Sequence, residues 1–191
     1  MNRARLEAFT DGVIAIIITI MVLEIHVPQG QNWSALRAEL PILLAYVLAY
    51  VNVGIFWNNH HHMLHAAERV NGRVLWANLV LLFWLSLVPF VIRWIDEAGF
   101  APAPVAAYGV VLSGAAIGYN VLQRVLIAYN GPHSRLARAV GADWKGLSSL
   151  LGYLLSVPLA FYRPWLSIAI YVLIALLWLV PDRRIESHLE T

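Results

Sequence analysis

The chain has 191 residues, no cysteine, 13 lysines and arginines against 11 aspartates and glutamates, and a formal charge of +2. Sixty per cent of it is hydrophobic, only 13% is charged, and its mean hydropathy is +0.67, more apolar surface than a soluble domain of this size can hide. The composition excludes an ordinary soluble domain, the small charge gives no case for a nucleic-acid partner, and the missing thiols exclude disulfides, iron–sulfur clusters and thiolate catalysis.

Six apolar segments read along the chain, over residues 8–26, 40–59, 74–95, 102–128, 147–162 and 165–180. At about 1.5 Å per residue most can cross a hydrocarbon core of about 30 Å, the last two being short. Lipid offers no partner to backbone polar groups, so the spans are expected to be helices. The expectation is one all-α integral membrane domain over residues 1–191, with the lipid bilayer as partner and no inserted soluble unit. The first apolar run is too long for a signal peptide, and no small-residue cleavage site follows it.

The first span opens Arg5-Leu-Glu-Ala-Phe9-Thr10-Asp11-Gly12 and then runs from Val13 to Leu23 with Thr19 as its one polar residue. A carboxylate so near the end of a span needs a partner or a function. At about 100° per residue, Gly12, Ile16, Thr19, Ile20 and Leu23 share a stripe and Asp11 lies off it. An apolar helix always yields some such stripe, so periodicity alone does not separate a pore lining from ordinary packing. Glu24 closes the span.

The second span ends Trp57-Asn58-Asn59-His60-His61-His62-Met63-Leu64-His65. His61 and His65 are spaced to share a helix face, but without a third ligand beside them no metal site is expected. A polar network joining Asp11, an arginine, Trp57 and one of these histidines is the preferred reading. In the third span Asn78 can hydrogen-bond between helices, and Pro89-Phe90 should kink or loosen its outer half. In the fourth, Ser113, Gly114, Ala115, Ala116 and Gly118 offer a small-residue face, with Asn120 a further polar group. Hydrolase, kinase, Rossmann and Walker signatures are absent, so no enzymatic chemistry and no cofactor are expected.

Basic residues set the topology. Arg3, Arg5, Arg69, Arg73, Arg124, Arg135, Arg138, Lys145, Arg183 and Arg184 fall at the two ends and in the second and fourth connections, against Arg37, Arg93 and Arg163 in the others. This bias predicts both termini on the cytoplasmic side of the cell (inner) membrane.

Taken together, Arg5-x-x-x-Phe9-Thr10-Asp11-Gly12, Trp57-x-x-His60, Asn78-Leu79 and Pro89-Phe90 resemble the bacterial branch of the transmembrane protein 175 family of potassium channels. Thr10 stands where the family signature has serine, keeping the hydroxyl. The resemblance implies a homotetramer with first helices around a central pore, passing potassium ions without a carbonyl filter. It implies hydrophobic constriction by Ile16, Ile20 and Leu23, with Thr19 as an adjoining polar layer, and Glu24 at the outer mouth. It implies that Arg5, Phe9, Thr10, Asp11, Trp57, His60 and Asn78 form the structural network that holds the pore helix. The alternative is a small proton- or metal-linked transporter, or an accessory membrane protein. Coupled transporters usually carry an ionisable group near the midplane, and none sits there.

The topology carries its own test. A cysteine placed at Ser34, in a chain with no native cysteine, is expected to react with an impermeant thiol reagent from outside intact cells. Labelling from the cytoplasmic face alone would invert the orientation.

Overall fold

The structure, a computed structural model, describes residues 2–141 and 143–179, and these are all-helical. The elements are α1 (Arg3–Leu23), α2 (Trp33–Ala38), α3 (Leu40–Ala66), α4 (Gly72–Ser86), α5 (Val88–Glu97), α6 (Pro102–Asn130), α7 (Arg135–Val140), α8 (Trp144–Tyr162) and α9 (Pro164–Leu179). Arg183 and Arg184, and the end of the sixth apolar segment at residue 180, lie outside the described residues. Among the described residues four helices are long and apolar enough to cross a membrane: α1, α3, the α4–α5 run from Gly72 to Glu97, and α6. The apolar helix α9 is shorter, at 16 residues, and packs back on α8 across the single residue Arg163.

Three features qualify a reading of six plain spans, the first of them the kink expected at Pro89. The third span is broken at Leu87, between α4 and α5. Pro89 has no N–H to offer the carbonyl of Leu85, and the Leu87 N–H turns back three residues to Trp84 O at 3.2 Å. The connections after the first and fourth spans each carry one short helix, α2 and α7. Their starts are fixed by side-chain caps, Asn32 accepting from Ala35 N and Ser134 from Ala137 N. Finally, α3 does not stop at residue 59: it continues through the histidines to Ala66.

Helix α6 is the post around which the rest is assembled, packing on α4, α5, α8 and α9. Its small-residue face is what lets them in. A Cβ on Gly114 would run into the indole of Trp84, and one on Gly118 would lie 3.0 Å from the Leu81 Cα. Gly114 and Gly118 are four apart, so α4 crosses α6 at a small-x-x-x-small notch. A second polar layer ties α3, α6, α8 and α9. Asn52 donates to Tyr108 Oη at 3.3 Å and accepts from Tyr153 Oη at 3.4 Å. Tyr171 donates to Val105 O at 2.9 Å, and Ser156 reaches Tyr171 Oη at 3.0 Å. Every buried side-chain polar atom among the described residues has a partner, as a lipid-embedded bundle requires.

The Gly118 notch is where a single methyl should hurt most. Gly118→Ala presses on Leu81 backbone, which cannot rotate away, so a loss of about 1–3 kcal/mol is expected. Gly12→Ala meets nothing within 4 Å and should be close to neutral. Thermal unfolding of the two purified variants side by side checks the difference.

Candidate functional site: the first helix and its buried anchor

Helix α1 has two faces. Leu6, Thr10, Ile14, Ile17 and Met21 are buried, against α3, α4 and α5. Opposite them Gly12, Ile16, Thr19, Ile20 and Leu23 are exposed, Ile16 at 58% and Leu23 at 80%. The spacing explains both sets: each recurs every three or four residues, and at about 100° per residue their centres lie on opposite sides of the helix. The stripe singled out in the sequence is the side of α1 that this chain leaves uncovered. Thr19 Oγ1 donates back to Ile16 O at 2.9 Å, so its hydrogen is spent within the helix and its lone pairs face outward.

The buried face is locked by one amide. Asn78 on α4 donates through Nδ2 to Thr10 Oγ1 at 2.9 Å and accepts at Oδ1 from His60 Nε2 at 2.8 Å. Thr10 and Asn78 are fully buried and His60 nearly so. The chain Thr10–Asn78–His60 thus clamps α1, α4 and α3 together. Beside it, Trp57 Nε1 donates to Asp11 Oδ1 at 2.8 Å in a half-open position.

Of the residues that the sequence groups into this network, Thr10, Asp11, Trp57, His60 and Asn78 are brought together as a chain of two contacts, Thr10–Asn78–His60, beside the single contact Asp11–Trp57. Arg5 and Phe9 are not. Both are exposed, because positions 5, 9, 12 and 16 follow one another along the uncovered stripe, turned away from Thr10. The arginine that ties α1 to α3 is Arg3, whose Nη1 donates to His65 O at 3.3 Å and Ala67 O at 2.9 Å. It meets the carbonyls that the end of α3 leaves unpaired. The sequence signal for it was a cation at the start of one helix facing the end of another, which only the packing reveals. His61 bonds Glu7 at 3.0 Å and stacks between Trp57 and His65.

At the far end of α1, Glu24 is not a free carboxylate. Arg93 Nη1 lies 2.8 Å from Glu24 Oε2, while its Nε lies 2.8 Å from Glu97 Oε1. His26, just beyond, bonds Asp96 at 2.7 Å. The Asp96 hydrogen bond and charge raise the His26 pKa above its ordinary 6.5. A groove of about 450 Å³ runs between α1 and α5, with Ile16, Ile20, Glu24, Phe90 and Arg93 on its walls.

Helices of membrane-crossing length held together by buried polar contacts describe a multi-pass membrane protein. Comparison with known proteins gives the class a family. Residues 5–89 match the family model described as endosomal/lysosomal potassium channel TMEM175. The chain is 49% identical over 190 residues to a protein named potassium channel from Chryseobacterium sp. (strain P1-3), covering 100% of this chain and 99% of that one. It is 33% identical over 196 residues to a protein of the same description from Streptomyces collinus, covering 92% and 91%. Among solved structures, it matches the crystal structure titled as a lysosomal potassium-selective channel TMEM175 homolog from Chamaesiphon minutus. The TM-score is 0.82 at 28% identity, over 93% of this chain and 96% of that one. This chain belongs to the TMEM175 family, a family of ion channels.

Two outcomes are expected of the site. Asn78→Ala strands the Thr10 hydroxyl and the His60 N–H in a dry interior and should cost about 1–3 kcal/mol. Trp57→Phe, which breaks only the half-open Asp11 contact, should cost less; paired unfolding measurements check the order. At the other end, the raised His26 pKa means that its Asp96 contact favours the folded arrangement fully below pH 6.5. That contribution fades as pH rises through the higher folded value. Amide protection over residues 25–32, taken relative to the intrinsic exchange rate at each pH, should therefore fall as pH rises past 6.5 through the raised His26 value in the native chain and show no such step in His26→Gln.

Proposed function

We propose that this chain is a potassium channel, conducting as a passive leak through a central pore lined by the uncovered face of α1. The observation that carries the reading is that face itself: a row of aliphatic side chains, without a carboxylate, on the one helix whose rotation the buried Thr10–Asn78–His60 clamp fixes from its opposite side. One chain cannot enclose a path with a single helix, so the reading includes a symmetric homotetramer with four copies of α1 nearest the axis. In it α8 and α9 are the fifth and sixth spans, and both termini face the cytoplasm of the cell (inner) membrane. The relatives named as potassium channels, aligned over nearly the whole chain, support the permeant ion.

The mechanism needs no cofactor and no chemical step. Four Ile16 side chains narrow the path, with Ile20 and Leu23 as further rings toward the Glu24 end. A hydrophobic neck demands partial dehydration of the ion and, when tight, empties of water. Potassium holds its hydration shell less firmly than sodium, so the neck penalises sodium more. Thr19, with its hydrogen engaged inside the helix, offers lone pairs to a passing cation beside the neck. The Thr10–Asn78–His60 clamp and the Asp11–Trp57 contact hold the azimuth of α1, so that these side chains point to the axis. The groove between α1 and α5 gives a neighbouring copy a seat next to Ile16 and Phe90.

Potassium flux into liposomes carrying the purified protein tests the activity. Its absence from correctly assembled protein would remove the channel reading. Ile16→Asn tests the neck: four amides keep water in place and lower the dehydration cost of sodium. Larger currents and a potassium-to-sodium permeability ratio that falls toward one are expected from bi-ionic reversal potentials. Leu151→Asn, on the exposed side of α8, should leave the ratio alone. An unchanged ratio in an assembled Ile16→Asn channel would shift the filter from Ile16 to Thr19.

A further inference from the structure

A larger groove, about 570 Å³, opens between α3, α5, α6 and α9, and no residue of α1 lines it. Its walls are almost wholly hydrocarbon, with Leu44, Ala45, Leu48, Ile95, Trp165 and Val172 among them. Even its two tyrosines turn their hydroxyls inward, Tyr108 to Asn52 and Tyr171 to Val105 O, which leaves ring carbon on the surface. Along α3 the lining runs from Leu40 to Val51 and along α9 from Trp165 to Leu179. At about 1.5 Å per residue that is a trough of about 17–21 Å, close to the depth of one leaflet of a hydrocarbon core about 30 Å thick.

The mouth of the trough is charged. Of the three arginines on the face opposite the amino terminus, Arg93 is committed to Glu24 and Glu97. The other two, Arg37 and Arg163, are exposed, and their side chains have no hydrogen bond or ion pair among the described residues. Arg37 lies three residues before Leu40 and Arg163 two before Trp165, at the starts of the two helices that wall the trough. Among the described residues Glu39 pairs with neither, and Asp96 and Glu97, which follow Ile95 on the α5 wall, are taken up by His26 and Arg93. Trp165 stacks on Phe100 at 5.4 Å and 19°, a flat aromatic ledge at the same mouth.

An apolar trough of leaflet depth capped by two uncommitted guanidiniums fits an amphiphile with an anionic head. We propose that the trough holds an acyl chain of a phospholipid whose phosphate is bound by Arg37 and Arg163, with anionic headgroups preferred. Two cations facing one phosphate leave a positive charge that repels a choline and tolerates the uncharged glycerol of a phosphatidylglycerol. A neighbouring protein would cover the hydrocarbon equally well but would leave both guanidiniums without a counter-charge. The proposal rests on the membrane-embedded fold and stands or falls independently of the potassium reading.

Native mass spectrometry of the full-length protein, delipidated in detergent and titrated with phosphatidylglycerol or phosphatidylcholine, tests it. Phosphatidylglycerol should be retained about tenfold more tightly, and the double variant Arg37→Gln/Arg163→Gln should bring the two lipids level. Ala45→Phe, which fills the trough, should weaken both. Because that substitution presses on a packed wall, a second measurement avoids it: brominated phosphatidylglycerol should quench tryptophan emission, and Trp165→Phe should remove that component. An undiminished preference in the double arginine variant overturns the headgroup site. A quenched fraction of the emission that Trp165→Phe leaves undiminished, or disulfides between Leu44→Cys residues of separate copies, overturns the acyl site and gives the trough to something else.

Discussion

The structure depends on one carboxamide. Asn78 sits in a dry interior where its donor and its acceptor must each find a protein partner, and it finds them on two different helices, Thr10 on α1 and His60 on α3. Satisfying both at once fixes the relative rotation of three helices. In a membrane that constraint matters more than apolar packing, because lipid solvates an aliphatic side chain as well as a neighbouring helix does. Van der Waals contacts of Ile14, Ile17 and Met21 would tolerate a roll of α1 by one position. The amide would not, since a roll of about 100° carries Thr10 out of reach.

What the clamp holds is a helix that is otherwise sparsely covered. Within its apolar window 28% of α1 is buried, against 61% for α6. The closest packing is of α6 on α4 and α8, and of α9 on α8, where glycines allow close approach and the tyrosine–serine–asparagine layer supplies hydrogen bonds. Helix α1 is attached to its neighbours at three places: by Arg3 to the end of α3, by the Asn78 clamp to α4 in its first half, and by Glu24–Arg93 to α5 at the other end. A helix pinned at both ends and keyed in rotation can present a bare aliphatic face without sinking it into its own bundle. That division, a packed scaffold and a keyed but uncovered helix, is what the proposed pore requires of each protomer.

Much of this was legible in the sequence, and the parts that were share a cause. Long apolar runs report spans directly, and a fixed turn per residue makes the stripe through Ile16, Ile20 and Leu23 readable before any contact is known. A polar residue in an apolar run, such as Thr10 or Asn78, announces that it needs a partner. The identity of the partner is another matter, since it depends on which helices become neighbours. So Arg3 rather than Arg5 reaches α3, and Phe9 falls on the open stripe although its motif neighbours are buried. The same limit hid the layer of Asn52, Tyr108, Tyr153, Tyr171 and Ser156, whose members are up to about a hundred residues apart. Their presence in apolar segments was the signal, as each hydroxyl or amide there must bond to something. The helices α2 and α7 were missed because six residues carry too little periodicity to register, and their evidence lay in the caps Asn32 and Ser134.

The far end of α1 shows how packing can reverse the meaning of a residue. Read alone, Glu24 at the edge of a cation path is a bare negative charge that concentrates cations. In the fold it shares Arg93 with Glu97, and Asp96 shares His26. Each protomer's set of three carboxylates and one guanidinium carries two net negative charges when His26 is neutral and one when it is protonated. Arg93 touches the Glu24 oxygen, so beyond about a Debye length of 8–10 Å that pair contributes little. What a cation meets there is the remainder, set by Glu97, Asp96 and the protonation of His26. In the proposed fourfold assembly that remainder is multiplied by four. The carboxylate nearest the stripe is thus already paired with a guanidinium, and the net charge of the cluster beyond it changes with the protonation of His26.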